Sequence, residues 1–311
     1  MRLGVVTAAL SGRSLEDALA FVRECGFDSI ELACAGFQTD LTFGDPGRLA
    51  SDRDARERWQ ELIASHGLAV NALALHGQPL SPDPEVAAAY RGQFRSACEL
   101  AEAIGVTRLT LLAGLPEGAE GDRAPCWVAS SFPPVNQDIL RWQWAERVVP
   151  YWREQGEIAA AHGCLLCFEM HPSDVVYNPR SLRRLREQVG PVVGCNFDPS
   201  HLFWQGIDPL AAMVELRDVI YHVHAKDTGI VDARVRVDGV LETAPFAEFA
   251  NRSWSFRTVG DGHGEGFWRS FFATLRELGY DGEVSIEHED EYLPVDDGIR
   301  RGIELVRRVA L

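Results

Sequence analysis

A chain of 311 residues, 46% of them hydrophobic, is long enough for one large α/β barrel or two average domains and can bury a sizeable core. Its 46 acidic against 30 basic residues give a formal net charge of −16, which repels phosphate backbones and anionic membranes and disfavours nucleic acid as a partner. No stretch approaches the ~20 consecutive apolar residues of a membrane span. Seven cysteines and an N-terminal MRLGVVTAALSG without a cleavage-site pattern point to a reducing cytoplasm rather than a disulfide framework.

A first strand is expected over 3–7, then a helix over 14–25 with Ser14 as its cap. A junction then recurs along the chain, in which a helical pattern ends in glycine and an apolar strand begins within a few residues. Gly26 precedes a strand over 29–34, Gly67 one over 69–76, and Gly105 one over 108–114. Gly163 precedes one over 165–171, Gly190 one over 193–198, and Gly279 one over 283–289, with a further strand over 219–226. Helices fit between them over 50–66, 85–104, 136–162, 179–189, 208–216, 265–278 and 295–310. Asn178 before Pro179 and Asp208 before Pro209 add start signals.

Eight strands alternating with eight helices predict an α/β fold, a single (β/α)8 TIM barrel over 1–311. The alternative, a doubly wound open sheet, lacks a glycine-rich phosphate loop after strand one. The connections 115–135, after strand four, and 228–264, after strand seven, are insertions on the face where barrels carry active sites. Trp127, Phe132, Trp254 and Phe256 give them aromatic surface, suited either to a lid or to a subunit interface. Cys164 and Cys167 have CxxC spacing, but on a strand they face opposite sides and cannot form one site.

Functional groups collect at the strand ends. Strand three ends in His76, strand five in FEMHP, strand six in NFDPSH, strand seven in HVHAKD and strand eight in SIEHED. Glu169, Asp198, His224 and Glu287 put one oxygen or imidazole ligand on each of four consecutive strands, a pattern for a closed metal site. Three carboxylates with one imidazole suit manganese, magnesium or cobalt better than a structural zinc, although zinc stays in the candidate set. Among the 30 basic residues Lys226 is the single lysine. Two residues beyond His224 it shares that ligand's face, where a compact ammonium can hold a substrate oxygen or act as a Schiff-base nucleophile. His171, His222, His288 and Glu289 are candidates for orienting the ligands by hydrogen bonds, or are simply buried and satisfied. The loop GDGHGEG before helix seven could bind phosphate, but its acidic residues argue against that.

FEMHP, FDPSH, HVHAKD and SIEHED, in that order, resemble the xylose isomerase-like barrels of sugar isomerases and epimerases, including ketose 3-epimerases, over nearly the whole chain. The resemblance implies that Glu169 and Glu287 are both metal ligands and the pair that moves protons. It implies that His201 contacts substrate oxygen and that Lys226 supports the site; by their places in the chain, His76 at the end of strand three is a candidate to face substrate, and His263 to touch substrate or position the loop before helix seven. It also implies a sugar or keto-sugar substrate and a homo-oligomer. Inversion by two bases, isomerisation, or loss of a β-leaving group in a lyase, dehydratase or hydratase are all open to this residue set. A non-catalytic sugar-binding protein is a further alternative. Apurinic endonucleases of the same superfamily share the DxxH and DxH motifs found at Asp198–His201 and Asp261–His263. They supply a further histidine on strand four, where this chain reads LTLLAG.

Overall fold

The computed structural model describes residues 1–37, 41–241 and 243–310, so Glu242 of the second insertion and the terminal Leu311 lie outside the described residues. In chain order the strands are β1 (Arg2–Val6), β2 (Ser29–Ala33), β3 (Ala69–Leu75), β4 (Arg108–Leu111), β5 (Leu165–Glu169), β6 (Val193–Phe197) and β7 (Ile220–Ala225). They are followed by β8 (Asp227–Ile230), β9 (Trp254–Arg257) and β10 (Glu283–Ile286). The helices are α1 (Leu15–Cys25), α2 (Pro46–Ser51), α3 (Arg53–Ser65), α4 (Pro84–Ile104), α5 (Val135–Trp142) and α6 (Val149–Ala161). Then come α7 (Pro179–Val189), α8 (Ser200–Phe203), α9 (Pro209–Glu215), α10 (Asp232–Asp238), α11 (Glu265–Glu277) and α12 (Val295–Val309).

Eight of the strands run parallel and close in the order β1-β10-β7-β6-β5-β4-β3-β2, a TIM barrel as expected. The glycines at all six predicted helix-to-strand turns take positive φ, from 68° at Gly67 to 122° at Gly190. Ser14, Asn178 and Asp208 each accept a backbone N–H in the first turn of their helices. No helix among the described residues is long and apolar enough to cross a membrane.

Several boundaries differ from the sequence reading for local reasons. The helix expected over 136–162 is α5 and α6 joined by a π-helical turn over Gln143–Val148. Pro150 has no N–H to donate back into the preceding turn, and the wider turn accommodates that gap. The helix expected over 50–66 is two, because Asp52 leaves helical geometry and caps α3 by accepting the Ala55 N–H. Strand β4 stops at Leu111, where side chains take over from the ladder: Trp152 Nε1 donates to the Ala113 carbonyl and Leu115 N to Gln78 Oε1. The 228–264 connection folds back on itself, with β8 and β9 paired antiparallel as a ribbon and α10 at its far end.

The apolar core lies between the strands and the helix ring, where Trp152 packs edge-on against Phe168 at 4.6 Å and Trp268, Phe271 and Phe272 fill the space under α11. The barrel interior is polar instead. At its base Asn71 Nδ2 donates to Ser29 and Ser285, so tightly around Gly4 that a Cβ there would sit 2.4 Å from Asn71 Nδ2. Period-two alternation carries this polarity upward through His222, His224 and Lys226 on one edge and Ser285, Glu287 and Glu289 on the next.

Candidate metal centre

The first tier above the base is Glu31, fully buried in the middle of β2. It accepts from Thr110 Oγ1 at 2.5 Å and lies 2.8 Å from His222 Nε2 and 3.0 Å from His224 Nε2. Burial alone would raise its pKa, but His224 and His222 outweigh that and hold it well below the carboxylate range. An ionised carboxylate only accepts, so both Nε2 atoms carry their protons, and Nδ1 of His224 is the atom left for the tier above.

That upper tier holds Glu169, Asp198 and Glu287, all buried. One ligand atom from each, together with one from His224, all lie within 4.8 Å of one another. Register explains the convergence. Glu169 pairs with Asn196 across β5 and β6, His224 with Ser285 across β7 and β10, and Asp198 and Glu287 stand one residue past their strands. His224 Nδ1 lies 3.0 Å from Glu287 Oε2 and 3.4 Å from Glu169 Oε2, and Asn196 Nδ2 reaches both Glu169 and His224. Burial lifts Asp198 to about 7, with the Glu169 charge adding to it. Burial works against ionisation of Glu287 too, but Lys226 and His224 bring it to about 2. One Asp198 oxygen accepts the Ser200 N–H at 2.7 Å, and the other is buried without a hydrogen-bond partner. Three converging buried carboxylates, an imidazole with Nδ1 turned toward them and an orphaned oxygen make a donor set that fits a hard divalent cation.

The remaining predicted residues divide into those brought to this cluster and those placed elsewhere. His201 Nε2 is 2.9 Å from Glu169 Oε1, and His76 Nε2 is 3.7 Å from Glu169 Oε2. Lys226, 3% exposed, sets its ammonium 3.3 Å from Glu287, 2.8 Å from Glu289 and 4.3 Å above the Phe256 ring. Burial opposes its charge, yet Glu287 and Glu289 outweigh that and hold its pKa well above the lysine range. His171 stacks at a tilt on His201 at 4.4 Å, and burial pushes it down to about 3. His222 lies below the centre, bonded to Glu31 and edge-on to the His224 ring at 5.6 Å. His288 points away from the barrel axis into α12, where a Cβ on Gly298 would meet its Cε1 at 2.1 Å. His263 stacks on Phe203 at 3.6 Å and bonds Asp227, outside the ligand cluster.

Asp227 explains the GDGHGEG loop. Its carboxylate accepts from Gly260 N, Gly262 N, His263 N and Trp268 Nε1, so the loop's N–H groups do bind an anion, one supplied by the chain itself. Gly262 is required by the closeness of this cradle, since a Cβ would sit 2.4 Å from the Thr228 carbonyl. Sequence reasoning missed Glu31, although a carboxylate between Ile30 and Leu32 in an otherwise buried strand is an anomaly that could have marked it.

A family model described as xylose isomerase-like TIM barrel matches residues 19–309. The chain belongs to the xylose isomerase-like TIM barrel family. Within it, "Uncharacterized protein YfiH" of Bacillus subtilis is 36% identical over 311 residues, covering 99% of each chain. Two solved structures superpose over 99% of this chain. The probable 3-DHS dehydratase AsbF of Bacillus anthracis does so with a TM-score of 0.69 at 18% identity and 99% of its own length. The 3-keto-D-glucoside 4-epimerase YcjR of E. coli does so with a TM-score of 0.66 at 16% identity and 99% of its own length. Identities this low speak for the shared barrel, which the present family member keeps together with a buried acidic and histidine cluster able to bind a metal.

Proposed function

We propose that this family member is a divalent-metal-dependent sugar isomerase or epimerase that moves a proton on the carbon beside a ketone. The observation that carries the reading is the convergence of Glu169, Asp198, His224 and Glu287 within 4.8 Å, with carboxylates arriving from both sides. These four residues would hold the cation, with manganese, magnesium or cobalt best suited to three carboxylates and one imidazole. When bound, it supplies Lewis acidity that stabilises the enediolate of a keto sugar.

The chain's own residues do the rest. Glu169 and Glu287 enter from β5 and β10 and are kept ionised by their histidine and lysine neighbours, so each can take a proton at a carboxylate oxygen. His201, beside Glu169 Oε1, is placed to hold a substrate oxygen near that base. The Lys226 ammonium lowers the cost of negative charge growing beside Glu287. An amine held protonated by two carboxylates is a poor Schiff-base nucleophile, which places that rival below a lyase or dehydratase on the same site. A dehydratase reading on the same residues is supported by the name of the AsbF neighbour, and an epimerase reading by that of YcjR. A small uncharged sugar, rather than nucleic acid, suits a chain of net charge −16.

The test is incubation of Mn2+-loaded protein with a keto-sugar panel in deuterated water, followed by chelator quench and proton NMR. Exchange beside the ketone is expected, and the product separates epimerase from dehydratase. A covalent adduct on Lys226 after borohydride treatment, with activity surviving chelator, would overturn the reading.

A further inference from the structure

Above the metal centre lies a cavity of about 810 Å³ whose floor is the rim of that centre: His171, His201 and Glu289 line it. Its walls are aromatic and come from the two insertions and the turn after α8: Trp127, Trp254, Phe256 and Phe246 from the former and Trp204 from the latter. Trp204 and Trp254 stack on each other at 4.5 Å and 6°, which fixes their planes without help from a ligand. At roughly 30 Å³ per water the space holds on the order of 25 waters, far more than the dozen or so non-hydrogen atoms of a hexose displace.

The lining also says what the extra occupant is. The indole N–H groups of Trp127 and Trp204 are buried with no hydrogen-bond partner among the described residues, and Trp204 is only 8% exposed. Flat aromatic faces in the wall suit a ring that offers an apolar face. The lining cation, Arg252, is engaged by the Phe246 and Trp254 rings and by the carbonyls of Ala244 and Trp254. With Arg252 so engaged and Glu289 at the floor, the lining favours an uncharged occupant over a phosphate.

We propose that this cavity is a second-ring subsite, so that the substrate is an uncharged glycoside: a keto sugar joined through its anomeric oxygen to another ring, sugar or aryl. The inference rests on the keto-sugar reading of the centre below it, and two arms of one experiment separate them. In the binding arm, calorimetry with Mn2+-loaded protein compares phenyl and methyl β-D-glucopyranoside, neither of which can react. Phenyl glucoside is expected to bind about tenfold more tightly, and Trp254→Ala to bring the ratio to within about twofold. Phe246→Ala, at a half-exposed position, is expected to lower the ratio about threefold. In the turnover arm, deuterium exchange compares the corresponding 3-keto glycosides, with kcat/KM about tenfold higher for the phenyl one.

Equal binding of the two glucosides, or a ratio that survives both substitutions, overturns the subsite. Exchange that runs equally fast on both 3-keto glycosides also overturns it and leaves the chemistry standing. A binding preference with no exchange on any keto sugar keeps the subsite and sinks the chemistry instead.

Discussion

The barrel interior and the aromatic vestibule above it are built by different rules. In the interior Glu31, the four candidate ligands and Lys226 sit on strands or one residue past them, and each tier is pinned by the next: Asn71 and Ser285 at the base, then His222 and Glu31, then His224, then the carboxylates. Strand register fixes these positions, so the chemistry is rigid. The vestibule takes Trp127 from one insertion, Trp254 and Phe256 from another and Trp204 from the turn after α8, and holds them by ring packing. Rings that pack on rings can be exchanged for others of similar size, whereas a carboxylate in a hydrogen-bonded ladder cannot. Reaction type therefore belongs to the strands and substrate shape to the loops.

That division can be broken at several points. Glu169→Gln and Glu287→Gln should each lower proton exchange by about 10²–10⁴ on every substrate alike, measured by deuterium incorporation. A loss confined to some substrates would put these residues in recognition instead. Glu31→Gln touches no substrate, yet it should weaken divalent-cation affinity about 10–100-fold, read by competition with a fluorescent chelator, because His224 loses the acceptor that fixes its tautomer. Unchanged affinity would detach the lower tier from the centre.

Asp174 lies where the two regions meet, beside His171, and burial pushes its carboxyl up to about 8. Its proton is held more tightly in the folded chain than at the ordinary value of 3.8, so stability is full at low pH. That stability is lost as pH rises toward 8, at up to about 1.4 kcal/mol per unit. Asp174→Asn should therefore melt higher than the parent at pH 8, with the gap closing toward pH 4; a gap that widens on acidification would contradict the burial argument. The smallest effect is expected at Phe132. It stands 77% exposed rather than in the vestibule wall, and Phe132→Ala should change stability by no more than about 0.5 kcal/mol in thermal melts.

The same division governs what could be read from the residues. Six glycine turns and three caps are local devices, each requiring a particular backbone geometry, and the turns located six of the eight barrel strands, the first and seventh being read from their own apolar runs. Glu169, Asp198, His224 and Glu287 were legible because strand ends deliver ligands to one place in this architecture. Glu31 was not, since its importance depends on two histidines nearly two hundred residues away. The GDGHGEG loop was set aside as an anion site because of its own acidic residues, and that it cradles an anion depended on Asp227 being folded beneath it. The β8–β9 ribbon had no periodic signal long enough to distinguish it from an irregular lid, and the π-helical turn before Pro150 reads as ordinary helix.

Asp227 has a consequence for how such a protein can change. It directly follows Lys226, which faces the centre, while its own carboxylate clamps the far end of the ribbon's return, Gly260 to His263, to the body of α11 through Trp268. The excursion between 228 and 258 is thus fastened at both ends, by Asp227 and by Asp290, which accepts from Thr258 N and Oγ1, next door to the candidate ligands. The arrangement works as a socket: a new tip can be grafted between Ile230 and Trp254 to accept a different substrate while the ammonium and the carboxylates below keep their places.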